Sequence, residues 1–207
     1  MTLIVVFSFA LISPGPDFVI AVRNAIVYSK RVGFLTAAGF AAGVLVHVTY
    51  TVFGIAAIIA QSVMMFNIIK WAGAAYLAYI GFKALRSNGM GKQAIENATL
   101  EGKDGKQTLS DWAAFRVGFL TNILNPKASL FFLAIFSQIT KPETPFIWQS
   151  IYGLTCALMC FAWFSMVTLV LNQGAVRNMF LKASKWIDRT CGALLIALGI
   201  KVALASR

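Results

Sequence analysis

What this sequence has least of is charge, and acid in particular. Only 12% of its 207 residues are charged while 59% are hydrophobic, against roughly 25% charged in an ordinary soluble domain. Mean hydropathy is +0.77. A water-soluble enzyme of this length has nowhere to hide so much apolar surface, so that class is excluded first. Three cysteines give neither a disulfide framework nor zinc-ligand spacing. One histidine without a neighbouring cysteine or carboxylate cluster makes no metal site, and no glycine-rich phosphate loop ends in Lys-Ser/Thr. No cofactor, catalytic set or nucleotide-driven pump is therefore encoded. Seven acids against 18 Lys+Arg leave a net charge of +11. In a polar chain that excess would suggest nucleic acid; here the positions of the bases decide.

What is present is a series of long apolar runs. Six reach about 18 residues, the length a bilayer requires: 1–22, 32–60, 68–85, 113–136, 146–171 and 187–205. The first has no cationic leader segment or small-x-small cleavage site, so it is expected to be a retained span, not a signal peptide. The longest polar stretch, 86–111, is rich in glycine and charge and reads as a flexible loop between two three-helix halves. Thirteen of the 18 bases fall in the loops after spans one, three and five, and four (Lys70, Lys141, Lys201, Arg207) on the opposite face. The positive-inside rule makes the 13-base face cytoplasmic and puts both termini outside. Trp71, Trp112, Trp148 and Trp186 fall at span ends, as an aromatic belt in a lipid bilayer should. The excess of base thus reports topology, and no nucleic-acid partner is expected.

The halves resemble each other. Ile12-Ser13-Pro14 matches Leu124-Asn125-Pro126 at an offset of 112, and Gly81-Phe82-Lys83 matches Gly199-Ile200-Lys201 at an offset of 118. A duplicated unit with an odd number of spans must enter the membrane from opposite sides. The expected fold is an all-α integral membrane protein with six transmembrane helices as two inverted three-helix repeats. Residues 1–207 form one transport domain, with repeats at 1–85 and 112–207 and a cytoplasmic loop at 86–111. Secondary transporters built this way place their sites where broken helices meet at the midplane.

Spans one and four are broken near their middles, at Ser13-Pro14-Gly15-Pro16-Asp17 and Asn125-Pro126-Lys127. Proline removes a backbone donor and exposes the carbonyl one turn earlier. In hydrocarbon such groups persist only if protein, water or a ligand satisfies them. Freed groups at Pro14, Gly15 and Pro16 suit the carboxylate and ammonium of a small zwitterion; a plain packing kink is the simpler alternative. Asp17 and Lys127 are the clearest charges inside apolar runs of the two repeats. Each costs roughly 2.5–3.5 kcal/mol at a helix centre without a partner or aqueous cavity. They serve either as a pair or as separate substrate and proton groups; otherwise Asp17 pairs with Arg23 and Lys127 snorkels.

His47 continues the small-residue stripe Gly39, Gly43, Tyr50 and Gly54, so it faces protein across a close helix contact. The stripe serves either bundle packing or a homo-oligomer. An imidazole titrating near neutrality suits proton relay, but a hydrogen-bonded structural role is equally consistent. Trp163, away from the belts, either lines a cavity or fills the core. Cys156, Cys160 and Cys191 read as packing residues.

These motifs resemble a known family. Ser13-Pro14-Gly15-Pro16-Asp17-Phe18 is similar to the first-helix motif of the lysine exporter (LysE/RhtB) family of amino-acid exporters. The run from Gly118 through Asn122, Asn125, Pro126 and Lys127 to Ala128 resembles its fourth-span motif, and Gly73-Ala74-Ala75-Tyr76-Leu77 its third span. Ala162-Trp163-Phe164, Ala183-Ser184-Lys185-Trp186-Ile187-Asp188 and Gly192-Ala193-Leu194 are similar to the threonine efflux branch. The resemblance covers nearly the whole chain. It implies export of a small hydrophilic amino acid across a bacterial cytoplasmic membrane, driven by protons, with site residues among Pro14, Gly15, Pro16, Asp17, Asn122, Asn125, Pro126 and Lys127. One departure stands out. Relatives often carry an acid about one turn before the fifth-span tryptophan, where this chain has Met159 and Cys160. The alternative from another class is a six-span thiol–disulfide electron carrier, but Ser13, Gly15, Asn125 and Lys127 occupy the positions where such proteins place cysteines.

Overall fold

The computed structural model describes residues 2–61, 63–87, 89–102, 108–139, 144–171 and 174–204, and all regular structure among them is α-helical. The elements are α1 (Thr2–Ile12), α2 (Pro16–Val27), α3 (Lys30–Gln61), α4 (Val63–Leu85), α5 (Met90–Glu101), α6 (Asp111–Ile123), α7 (Pro126–Ile139), α8 (Phe146–Leu171) and α9 (Gly174–Leu204). Lys103, Lys106, Lys141, Arg207 and the outer limits of the first and sixth apolar runs lie outside the described residues.

Two stretches, Lys30–Gly54 in α3 and Phe146–Leu171 in α8, are long and apolar enough to cross a membrane unaided. The α1–α2 and α6–α7 pairs pass the same test as bent units, kinked by 59° and 56°. Both kinks lie at the expected proline motifs. The charge-poor, leucine- and phenylalanine-rich surface is turned outward: Phe53, Met64, Leu158 and Ile200 are all exposed, as a lipid-facing surface demands. Trp71, Trp112, Trp148 and Trp186 are exposed too, whereas Trp163 is half-buried.

Glycines set how closely the helices pack. A methyl group at Gly39 would lie 2.2 Å from the Phe115 carbonyl of α6, and one at Gly118 would lie 2.1 Å from the Thr36 carbonyl of α3. The two backbones are therefore in contact, which only glycine permits. Gly81 and Gly192 meet in the same way between α4 and α9 (2.6 Å), as do Gly199 and the Ala74 carbonyl (2.8 Å). The expected stripe is spent inside the bundle at Gly39, Gly43 and His47. Gly54 has no atom near where its Cβ would stand, so the stripe ends before it.

The polar stretch 86–111 departs from its expected form. Ala94, Ile95 and Ala98 recur on one face, and that face is buried in the core cluster, giving α5 a packed side against α2 and α9. Three apolar residues among glycine and charge are too faint a period to read as a helix. Arg23, on α2, is joined bidentately to Glu101 at the far end of α5 (Nε to Oε2 2.9 Å). That contact removes Arg23 as the partner considered for Asp17. Because the Arg23 guanidinium hydrogen-bonds it, the Glu101 carboxyl is held below its ordinary range.

Candidate functional site

The first break ends α1 at Ile12. Gly15 lies in extended backbone, and Pro16 opens α2 at its first position, where a missing N–H costs nothing. Asp17 follows in the first turn, where helix-dipole charge favours an acid. The second break has the same form. Pro126 opens α7, and Asn125 sits before it with its side-chain oxygen accepting the Lys127 N–H at 3.0 Å, an N-cap. The structural register thus matches Gly15-Pro16-Asp17 to Asn125-Pro126-Lys127. The offset of 112 pairs Pro14 with Pro126, but the proline that begins the second half-helix of the first break is Pro16. Asp17 and Lys127 occupy equivalent positions with opposite charge.

The two breaks satisfy one another. The Asn122 and Asn125 side-chain amides donate to the two Asp17 carboxylate oxygens at 2.7 and 3.0 Å, charge-assisted bonds that hold α2 against the end of α6. The Lys127 ammonium crosses in the other direction, donating to the carbonyls of Ala10 at 3.0 Å and Ser13 at 2.5 Å. Ala10 lies four residues before Pro14, so its carbonyl is the one that proline deprives of a donor. Lys127 therefore caps the C-terminal end of α1, where a cation is favoured. It neither snorkels nor forms a direct ion pair with Asp17.

Proline 126 creates the matching vacancy at the carbonyl of Asn122, four residues earlier. The Asn125 N–H bonds it at 3.0 Å, and His47 Nε2 lies 2.9 Å away. His47 Nδ1 is 2.7 Å from the Tyr50 hydroxyl, and the ring stacks on Phe132 with centroids 5.8 Å apart. With both ring nitrogens engaged, the neutral tautomer that fits donates from Nε2 to the carbonyl and accepts from tyrosine at Nδ1. His47 makes no hydrogen bond to Asp17 and lines neither cavity at the breaks; it holds the end of α6.

Two cavities meet at the breaks, and Ser13, Gly15, Asn125 and Lys127 line both. On the side of Asp17 and Asn122 there is only about 50 Å³, room for one or two waters. That side is closed by aromatic rings: Phe7 lies 5.8 Å from Phe131 and 5.4 Å from Phe132, centroid to centroid. The other cavity measures about 660 Å³ and extends past Tyr76, Tyr79, Lys83 and Ser87 to Asp188. That volume is typical of small-molecule sites.

Of the residues expected at the site, Pro14, Gly15, Pro16, Asp17, Asn122, Asn125, Pro126 and Lys127 converge here. His47 stands one step behind, and Trp163 lines neither cavity. Sequence reading missed Asp188, which is only 1% exposed. It lies at the edge of the sixth apolar run between Trp186 and Arg189, where it reads as a rim charge. The phenylalanine seal was also missed, because phenylalanine in an apolar run carries no distinguishing signal. Cys156, Cys160 and Cys191 are free, buried thiols, and although Cys160 lines the small cavity beside Asp17 none of them stands in a break, so nothing supports the electron-carrier alternative. Among the described residues no His/Cys/Asp/Glu group has the arrangement of a metal site.

Among the described residues, apolar helices long enough to cross a membrane and two mutually bonded breaks over a cavity fit a membrane translocator. Residues 8–206 match the model of the LysE type translocator family, and the chain belongs to that family. It is 29% identical to the threonine efflux protein of Escherichia coli (strain K12), over 99% of this chain and 97% of that one. It is 30% identical to the threonine efflux protein of Salmonella typhi over the same shares. The homoserine/homoserine lactone efflux protein of Salmonella typhimurium is 28% identical over 94% of this chain and 90% of its own. No solved structure matches the chain.

Proposed function

We propose that the chain is a secondary transporter exporting a small amino acid, threonine or a relative such as homoserine, from the cytoplasm of a bacterium. Its relatives named for threonine and homoserine efflux support the substrate class. The observation that carries the mechanism is the pair of breaks set between unequal cavities. In this reading α4 and α9 also cross the cytoplasmic membrane, giving six spans in two inverted repeats within one transport domain. The near-equal bends of 59° and 56° support the repeat. So do the reciprocal contacts of Gly81 with Gly192 and of Gly199 with Ala74, which exchange under the offset of 118 read from the sequence.

With both termini outside, the large cavity lies on the cytoplasmic side, since the end of α4 lines it, and the phenylalanine seal lies on the outer side. The conformation is then open to the cytoplasm and closed outward, the loading state of an exporter. Substrate settles against Ser13–Pro16 and Asn125–Lys127. Asp17 supplies proton coupling. As a carboxylate it accepts from two amides; once protonated, it needs an acceptor, so one amide must turn over. Asn125 is committed to capping α7, which leaves Asn122 to turn and loosen the outer side.

Release from preloaded proteoliposomes tests this reading, with threonine, homoserine, serine and lysine in the panel and with or without an imposed pH gradient. Release of threonine or homoserine, accelerated by the gradient, is expected. No release of any amino acid by inserted protein overturns the exporter reading; release indifferent to the gradient overturns proton coupling.

A further inference from the structure

The two cavities share Ser13, Gly15, Asn125 and Lys127, and one of these has no side chain. Gly15 stands in extended backbone, and a Cβ there would lie against the Lys127 side chain, 3.3 Å from Cδ and 3.5 Å from Nζ. A molecule held at the breaks from the large cavity therefore has the small one directly beside it. The small cavity is chemically mixed. Phe7, Val44, Phe132, Phe164 and Cys160 give it apolar walls, and Asp17 and Asn122 give it a polar end. A carboxylate has about four acceptor positions, and the Asn122 and Asn125 amides take one on each Asp17 oxygen. A neutral hydroxyl can still donate there, with no cation required. The volume of about 50 Å³ holds one or two water-sized groups. Beyond Cβ, threonine and homoserine each carry one carbon and one hydroxyl. Cys160 is a free thiol, 1% exposed, and the smaller of the two side chains that α8 contributes to the walls. Its size governs how much room is left.

We propose that the small cavity is the side-chain pocket of the exporter. The amino acid lies at the breaks, its short side chain enters past Gly15, its hydroxyl donates to Asp17, and Cys160 limits its length. The assignment rests on the exporter reading and supplies the side-chain class for it. A methyl in the hydroxyl's place would press an apolar group on a buried carboxylate and satisfy none of its acceptor positions. A lysine side chain exceeds the space. A hydroxyl bonded to Asp17 favours the carboxylate, so substrate and proton each weaken the other's binding at one group. Exchange of one for the other needs that opposition.

The test uses the full chain in proteoliposomes, with release of one labelled amino acid measured at a time. Threonine is paired with valine and homoserine with norvaline, since each pair exchanges only hydroxyl for methyl; alanine is the short reference. Wild type is expected to release the hydroxyl member of at least one pair at least about tenfold faster than its partner. Cys160→Met, which fills the pocket with an apolar chain, should lower release of that hydroxy amino acid about tenfold more than release of alanine. Cys160→Ala, which deepens the pocket by a sulfur atom, should raise release of 2-amino-5-hydroxypentanoate, homoserine lengthened by one methylene, severalfold relative to the same hydroxy amino acid. It also serves if Cys160→Met does not fold. A merely structural effect at Cys160 would move all of these amino acids alike. Equal release within both pairs by wild type overturns the proposal. So does an unchanged ratio to alanine in inserted Cys160→Met, or an unchanged ratio of the longer amino acid in Cys160→Ala. A wild type that releases none of them refutes the exporter reading, and the pocket with it, before any variant is made.

Discussion

The two helix breaks share a backbone and differ in who holds them. Both begin their second half-helix with proline, both bend by nearly the same angle, and both carry a charge at the next residue. At the first break that charge is an acid in the first turn of its own helix, where the dipole favours it. At the second it is a lysine, which the start of α7 disfavours; Asn125 caps the helix instead and the lysine reaches across to the end of α1. The first break is therefore held almost entirely by groups from the second. The second is held by its own Asn125 cap, by Asp17 and by α3, through a histidine locked in a stack. An ammonium and two amides are groups that a zwitterion or a proton can replace, while a stacked imidazole is not. In the proposed mechanism the first break is then the part that rearranges and the second its support.

Removing the bond that crosses from support to moving part should have the largest effect. Lys127→Met strips two carbonyls of their donor, each left buried at a cost of roughly 1–3 kcal/mol. We expect transport to fall by at least about 100-fold, with a lowered unfolding temperature in detergent. Near-normal release by Lys127→Met would show that the first break supports itself.

Asp17→Asn comes next. An amide at 17 can accept from only one of Asn122 and Asn125 and points its own donor at the other. Release should fall at least about tenfold with little loss of stability, since no charge is left unpaired; unchanged flux removes Asp17 from the mechanism. Gly43→Ala approaches the same bond from behind. Its Cβ would stand 2.5 Å from Asn122 Oδ1, so the amide that donates to Asp17 must shift. The loss should be smaller, about threefold to tenfold, and less than additive with Asp17→Asn because both act on one bond. Additive effects would separate Gly43 from Asp17.

That last contact shows where sequence was legible and where it was not. Proline inside an apolar run marks a break by elementary sterics, so the places of both breaks and the charges beside them could be read directly. Which proline matched which could not, because Pro14 and Pro16 are both present and only the helix start selects Pro16. The stripe at Gly39 and Gly43 indicated close approach without naming what approached; backbone lies against one and an amide against the other. Asp188 and α5 were missed for a shared reason. Each depends on helices far apart in sequence being side by side, and local hydropathy carries no record of that.

His47→Gln tests the support itself. Glutamine can still donate to the Asn122 carbonyl but loses the stack on Phe132, so we expect only a few-fold loss and an unaltered pH dependence of release. A flattened pH profile would restore the proton-relay role and erase the contrast between a replaceable and a fixed break.

The smallest effect is expected where α5 is tied to the far end of the moving half-helix. Arg23 and Glu101 are about one-third exposed, so their pair stabilises by no more than about 1 kcal/mol and is screened by salt. Arg23 holds the Glu101 carboxyl below its ordinary value of 4.5. A depressed acid contributes stability that is fully present above its unfolded pKa and is lost as pH falls through the folded one. The docking of α5 should therefore be unchanged between neutral pH and about 5 and weaken only in more acid solution. Glu101→Gln should remove that dependence at all pH values while leaving α5 packed through Ala94, Ile95 and Ala98. Proteolysis within 86–111, followed against pH for both proteins, checks it. If Glu101→Gln released α5 already at neutral pH, the ion pair and not the apolar face would be holding this helix to α2, and the moving half of the first break would be governed by a surface charge.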